Sequence, residues 1–184
     1  MLLAACTSGP GPSRTSSGQP RPAPTTSSAT TVADSQLDCA DAFDSHPTIA
    51  PLQVVLGVVA LPTSPNYPAL QTGLSGAGNG SLRLFAKTGL VIKAGTSFQL
   101  IVSTQRADGP GIGWGSATPS HRIIVPSCPS LGGNGWLAYA GGYWIDHPAC
   151  VPIIVKAGDM QQQVQIGVGA PCRGQQPPQG DSQS

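Results

Sequence analysis

Histidine, cysteine and methionine side chains come first, because together they can bind copper in exported β-sheet proteins. His147, Cys150 and Met160 lie close together in the C-terminal part of the sequence. Their order differs from that of a blue-copper site, while His46 and His121 are scattered elsewhere. The sequence does not favour a zinc site either, because it contains no Cys-x-x-Cys pair of the kind that begins many zinc sites. We therefore predict no metal ion and no other cofactor.

Two segments match motifs of catalysis or phosphate binding only in part. Residues 73–77, Gly-Leu-Ser-Gly-Ala, lack the last glycine of a serine hydrolase elbow. Residues 109–115 are rich in glycine but lack the Lys-Ser or Lys-Thr of a phosphate loop. Helix capping or solvation explains Asp38, Asp41 and Asp44 better than a glycosidase pair does. We predict no catalytic residue, and the sequence favours a non-enzymatic protein without deciding the question.

The first cysteine points to a membrane anchor. Residues 3–6, Leu-Ala-Ala-Cys, resemble the lipobox of bacterial lipoprotein precursors, in which a peptidase cuts before the cysteine and the thiol carries diacylglycerol. A signal peptide needs a longer apolar stretch than residues 1–5 provide, so we interpret these residues as its remnant. A lipid on Cys6 predicts an extracytoplasmic protein anchored to the outer face of the cell membrane.

The remaining cysteines predict a disulfide framework, because an even number in an exported chain is typical of paired thiols. They are Cys39, Cys128, Cys150 and Cys172. Three pairings are possible. We favour Cys39 with Cys172 and Cys128 with Cys150, because the two ends of a domain often lie close together.

Composition divides the chain into a tether, a domain and a tail. Residues 7–36 include 21 Ser, Thr, Pro or Gly and no aromatic residue. Such a segment buries too little apolar surface to offset its ordering entropy. We predict a lipidated cysteine with a disordered tether over residues 6–37, a folded domain over residues 38–172, and a disordered polar tail over residues 173–184.

The domain is predicted to be all-β. The chain has 24 Gly, 19 Pro and no Glu, and short apolar runs separated by Gly, Pro and Asn predict eight or nine strands. Alternation within residues 97–103 and 161–168 predicts one buried face for each strand. We expect a two-layer antiparallel sandwich, immunoglobulin-like in broad architecture. A short helix within residues 34–44 is the only helix expected.

Residues 134–146 are the most distinctive segment, because they hold four of the nine aromatic residues. These four are candidate ligand-binding residues: Trp136, Tyr139, Tyr143 and Trp144. If Gly141-Gly142 forms a hairpin turn, Tyr139 faces Trp144; alternatively the glycines form a bulge within one strand. Exposed rings would stack on a sugar or a protein partner, whereas buried rings would be core, and we favour the core.

The lipobox, the tether and three C-terminal segments together resemble uncharacterised envelope lipoproteins of actinobacteria. The three segments are residues 136–144, 149–152 and 166–172, within a domain resemblance over residues 82–172. The resemblance implies a location and assigns no activity.

We expect a non-enzymatic module that binds an envelope protein or glycan. The net charge of +1 gives no basis for binding nucleic acid. Two alternatives remain. One is a cell-wall hydrolase with a dispersed Asp/His/Ser site that includes Asp146 and His147. The other is a carrier of a small ligand or lipid, which needs an apolar cavity between the sheets.

Overall fold

The computed structural model describes residues 34–63, 65–76, 82–103 and 109–179. These ranges contain one 3₁₀ turn, Cys39–Asp41, and no helix long and apolar enough to cross a membrane. Their strands are β1 (Ser35–Gln36), β2 (Gln53–Val55), β3 (Val59–Leu61), β4 (Gly73–Gly76), β5 (Leu82–Lys87), β6 (Leu90–Lys93), β7 (Phe98–Val102), β8 (Gly111–Trp114), β9 (Arg122–Val125), β10 (Trp136–Tyr139), β11 (Gly141–Ile145), β12 (Ala149–Ala157) and β13 (Met160–Val168).

The strands form three sheets around one main core. A five-stranded sheet has the order β1-β9-β7-β12-β13, and two four-stranded sheets have the orders β10-β6-β3-β2 and β4-β5-β11-β8. Only the β1–β9 pairing among these strands is parallel. Buried side chains from all three sheets belong to one hydrophobic cluster. The prediction of a layered all-β fold with two disulfides is therefore confirmed, while the immunoglobulin-like detail stays a prediction.

The two four-stranded sheets are halves of one long antiparallel ladder. Only Thr88 and Gly89 separate β5 from β6, and a single residue separates β10 from β11. The register continues across this break, since Lys87 lies opposite Gly142 and Leu90 lies opposite Tyr139. Two chain segments thus pass together from one sheet into the other.

Gly141 and Gly142 begin β11 and do not form a hairpin turn, so the prediction that Tyr139 faces Trp144 is wrong. The alternative, an irregularity within one extended segment, describes the chain better. Both positions need glycine because neighbouring backbone approaches closely. A Cβ on Gly141 would overlap the carbonyl oxygen of Gly113, and one on Gly142 would overlap that of Ala86.

The predicted alternation holds where strands cover the core. In β7, Phe98, Leu100 and Val102 are buried, whereas Gln99 and Ile101 are half-buried. In β13 exposed residues alternate with half-buried or buried ones from Gln161 to Ile166, and the last residues, Gly167 and Val168, are both buried. A half-buried face of this kind is expected for an antiparallel sheet with one side toward solvent.

The start of the domain differs from the prediction, because residues 34–44 contain a short strand and a 3₁₀ turn instead of a helix. β1 pairs with β9, and the next residue, Leu37, is only 1% exposed. Phe43, which a helix would place beside Leu37, is 66% exposed. Asp38 caps the turn by accepting a hydrogen bond from the Ala40 amide. The folded body therefore already includes residues 35–37, which the composition predicts to be part of the tether.

Residues just beyond the last cysteine also pack on the domain. Gln175 is 8% exposed, its Oε1 accepts from the Cys172 amide at 2.8 Å, and its Nε2 donates to the Tyr67 carbonyl at 2.6 Å. The beginning of the predicted polar tail is thus part of the body. Residues 180–184 and most of the predicted tether lie outside the described residues, as does Cys6.

The four cysteines form two disulfides, as predicted, but the favoured pairing is wrong. The bonds join Cys39 to Cys128 and Cys150 to Cys172. Cys39 lies just beyond β1, and the neighbouring parallel strand β9 leads to Cys128, so the two thiols meet. Cys150 lies on β12 opposite Gly167 of β13, and the chain then turns back to Cys172. Neighbouring strands, and not the domain ends, decide the pairing.

Candidate functional site

The structure separates the four aromatic residues that the sequence places together. Tyr139 and Tyr143 are fully buried, whereas Trp136 and Trp144 are half-buried. The two tryptophans belong to different four-stranded sheets, because β10 and β11 lie in different halves of the crossing ladder. They therefore do not form one binding face with the tyrosines.

The two tyrosines serve the core. The ring of Tyr143 meets that of Trp114 edge-on, with centroids 5.6 Å apart, and burial raises the pKa of its phenol strongly. The pKa of Tyr139 is also raised, first by burial and then by the carboxylates of Asp41 and Asp38. Its buried hydroxyl has no hydrogen-bonding partner among the described residues. Both phenols therefore stay neutral at physiological pH.

Trp144 is half-buried and packs against a neighbouring aromatic ring. Its centroid lies 4.5 Å from that of Phe85 on β5, and the rings are tilted by 35°. The residue opposite Phe85 on β4 is Gly73, and the residue opposite Trp144 on β8 is Gly111. Directly opposed residues point to the same face of a sheet, so these two glycines place no side chain against the rings, while Pro119 and Ser120 lie over Gly111. We call Phe85 and Trp144 the aromatic platform.

An ion pair lies beside the aromatic platform. Arg83 precedes Phe85 by two residues and Asp146 follows Trp144 by two residues, which places both on the same side of their strands. The Arg83 Nε donates to Asp146 Oδ1 at 2.8 Å, and Nη2 donates to the Gly109 carbonyl at 3.0 Å. The Asp146 side chain is 51% exposed, so the pair presents hydrogen-bonding atoms next to the rings.

The geometry gives no support to the hydrolase alternative. Asp146 is bound to Arg83, and the adjacent His147 is exposed. Ser75 lies on β4, not on a strand-to-helix elbow, and the glycine-rich segment that follows residue 110 is strand β8. No group of three or more His, Cys, Asp or Glu is arranged to hold a metal ion in the ranges described above.

The three carboxylates at the domain entrance have local structural roles. Asp38 caps the 3₁₀ turn, and Asp44 accepts a hydrogen bond from the His46 amide at 2.8 Å. Asp41 accepts two hydrogen bonds, from the amide and the hydroxyl of Ser116, both at 2.7 Å. These bonds lower the pKa of Asp41, the amide contributing most. The expectation of capping over glycosidase chemistry fits this arrangement.

Open hollows occur at the edges of the sheets. One of about 310 Å³ is lined by Phe98, Ile124 and Lys156, and another of about 500 Å³ lies beside Leu37 and Pro126. A third, of about 340 Å³, lies between β2 and β13 and is lined mostly by glutamine side chains. These hollows are at the surface, whereas a carrier needs an apolar space between the layers.

The glutamine-lined hollow was not predicted. Its sequence signal is the uncharged run Gln161-Gln162-Gln163 together with Gln165. Alternation alone predicts only that these side chains lie on a solvent-exposed face of a strand. The contribution of Gln53 from β2 depends on how the sheets pack. No local pattern could have placed these side chains together.

The sequence matches no known family model, and no curated protein or solved structure is significantly similar to it. The roles assigned to the aromatic platform and to the hollows therefore rest on their own geometry. The resemblance to actinobacterial envelope lipoproteins stays an expectation.

Proposed function

We propose that this chain is a binding module of the cell envelope, located outside the membrane, anchored through a lipid on Cys6, and recognising a protein or glycan partner. Two disulfides favour an oxidising compartment, because cytosolic reductants keep thiols reduced. The Leu-Ala-Ala-Cys segment supplies the basis for the anchor.

The aromatic platform is the observation that carries the binding role. Tryptophan and phenylalanine faces stack on sugar rings and on apolar side chains, and pairs of rings add to the energy of area burial. Both rings are half-buried and therefore partly accessible, and the Arg83–Asp146 pair supplies polar atoms at their side. An aromatic surface beside fixed polar groups suits recognition and requires no catalytic group.

A pair of tryptophan variants tests this role. The oxidised full chain is applied to an array of cell-wall glycans and to envelope proteins in a pull-down. Trp144→Ala is expected to weaken partner binding at least about tenfold, as loss of a central aromatic anchor does. Trp136→Ala is the matched control, because Trp136 is also half-buried but lies on the other sheet, with Lys93 Nζ 5.3 Å from its ring. Equal losses in both variants, or no partner in either format, would refute the proposal.

The anchor has a separate test. Expression in a bacterial host with a complete signal peptide is expected to give an acylated protein in the membrane fraction, and Cys6→Ser is expected to release it. The intact mass of each protein measures the lipid directly. An unmodified Cys6 in the native protein would remove the anchor from the proposal and leave the binding role in place.

A further inference from the structure

β13 has one paired side and one open side. It is the last strand of the five-stranded sheet and pairs with β12 along its whole length, from Ala149↔Val168 to Ala157↔Met160. A two-residue turn joins the strands, so Ala157 and Met160 form a hydrogen-bonded pair. Because such pairs alternate along an antiparallel ladder, every second residue of β13 directs its backbone amide and carbonyl away from β12.

The outward-facing residues are Gln161, Gln163, Gln165 and Gly167. The last of these confirms the alternation, because its carbonyl oxygen accepts a hydrogen bond from the Leu70 amide at 2.8 Å. Leu70 bridges to Val168 and covers only that end of the strand. Gln161, Gln163 and Gln165 are exposed and have no strand beside them among the described residues. We call their outward backbone groups the open edge.

The open edge lacks the usual protection. Exposed edge strands normally carry lysine, proline or a bulge that prevents pairing with another chain. Met160–Val168 contains no charged residue and no proline, and its pairing with β12 is regular over nine residues. The strand is therefore suited to accept another strand.

The hollow beside the open edge is neutral and rich in amides. It is lined by Gln53, Thr63, Gln162, Gln163, Val164 and Gln165, none of which is charged. The buried Thr63 hydroxyl donates to the Oε1 of Gln53 and fixes that amide. The side-chain amides of Gln162, Gln163 and Gln165 make no hydrogen bond with described residues. Free amides offer donors and acceptors to a polypeptide without demanding charge.

We propose that the open edge binds an uncharged, extended peptide segment of a partner protein, which adds to the five-stranded sheet beside β13. Main-chain hydrogen bonds to Gln161, Gln163 and Gln165 would supply affinity, and the amide-lined hollow would read alternate side chains of the peptide. This inference rests on the proposed binding role but uses a surface distinct from the aromatic platform.

Charge and area favour this occupant over the others. A charged segment would lose hydration in a hollow that offers no opposite charge. A second copy of the chain would pair through an edge of about six residues, which buries far less than the roughly 800 Å² per partner of a stable interface. A short peptide needs no larger surface than the open edge, because a single neighbouring strand can hydrogen-bond its main chain.

The probe is a phage-displayed library of random heptapeptides, selected on the oxidised full chain. Enriched sequences are expected to be uncharged and rich in β-branched residues, and their synthetic peptides to bind in fluorescence anisotropy. Absence of enrichment, or enrichment of charged peptides only, would overturn the inference.

Two substitutions at one position separate main-chain from side-chain recognition. Gln163→Pro removes an outward amide and leaves the ladder to β12 intact, so peptide affinity should fall at least about tenfold. Gln163→Ala keeps that amide and should change affinity by less than about threefold. Equal effects of the two variants would assign the surface to side-chain recognition, as for a glycan, and overturn the inference.

Hydrogen exchange on the unaltered chain gives a measurement that does not depend on the variants. The amides of Gln161, Gln163 and Gln165 are expected to exchange faster than those of Gln162 and Val164, and to become protected when peptide binds. Light scattering that shows a dimer disrupted by Gln163→Pro would assign the edge to a second copy instead. If peptides fail but Trp144-dependent binding persists, only this inference falls; if both fail, the proposed function falls too.

Discussion

The two edge strands of the five-stranded sheet differ in their length and in how their outer sides are covered. β1 has two residues, and a disulfide follows it almost at once, joining Cys39 to the chain beyond β9. β13 has nine residues, and Leu70, Ala69 and Gln175 lie against its last part. One edge is short and covalently closed, whereas the other is long, regular and uncharged.

This difference separates stability from recognition within one sheet. A sheet edge left open invites association, and natural proteins usually block it. Here the blocking devices lie at the β1 side, so the open edge of β13 is the exception that calls for a function. Substitutions at the β1 side should change stability alone, and those at the open edge should change binding with little effect on stability.

The largest expected effect comes from opening the closed edge. Replacing Cys39 and Cys128 by serine releases a loop closed over 89 residues and should lower the free energy of unfolding by about 4–5 kcal/mol. The same change at Cys150 and Cys172, 22 residues apart, should cost about 3 kcal/mol. Urea unfolding of both variants measures the difference. If loss of the Cys150–Cys172 bond lowered the free energy of unfolding more than loss of the Cys39–Cys128 bond, the prediction would be contradicted.

Proline placed one residue apart on β13 sharpens the contrast between its two sides. Gln162→Pro removes an inward amide of the ladder to β12 and should cost about 2–3 kcal/mol. Gln163→Pro should cost less than about 1 kcal/mol, because its amide points outward. Thermal unfolding of the two variants provides the measurement. Equal destabilisation would show that the assigned alternation of β13 is wrong.

The covered end of β13 should show an intermediate effect. Gln175→Ala removes a buried hydrogen bond to the Cys172 amide and a partly buried one to the Tyr67 carbonyl, and should cost about 1–3 kcal/mol. Its neighbour Gln176→Ala, at an exposed position, is the control. Chemical denaturation compares them, and a neutral Gln175→Ala would mean that this segment does not hold the edge.

The smallest expected effect is a pH dependence near β1. The hydrogen bonds from Ser116 lower the pKa of Asp41 in the folded chain, so its contribution to stability is present above the unfolded pKa. That contribution should be lost as the pH falls below about 4 and through the lower folded pKa. Asp41→Asn should flatten the acid limb of a stability–pH curve. If Asp41→Asn left the pH dependence of stability below about pH 4 unchanged, the Ser116 hydrogen bonds would not contribute to that dependence.

The sequence predicts what depends on local alternation. The buried residues of β7 and most of β13 follow from period-two patterning, and the four cysteines that follow Cys6 predict two disulfides. Trp144 and Tyr143 differ in burial because they are adjacent on β11 and point to opposite faces. Alternation predicts that one of the two side chains is more buried than the other, but which one faces the core depends on how the sheets pack.

What the sequence could not predict depends on strand neighbours. Gly141 and Gly142 suggest a turn by their dipeptide, yet the backbones of Gly113 and Ala86, distant in sequence, explain them. Cys39 pairs with Cys128 because β1 lies beside β9, and no spacing rule contains that fact. The open edge likewise requires the order of the strands, since β13 would be ordinary in the middle of a sheet.

The disulfide beside β1 also sets how the domain bears mechanical load. A pull applied at Asp34 can peel only the few residues that precede Cys39, because the covalent bond then transfers the load to the chain after β9. The segment between Cys39 and Cys128, which are 89 positions apart, is thereby shielded from direct extension. Most core residues lie within that segment, so tension on the N-terminal side reaches them only indirectly, through the chain that follows Cys128.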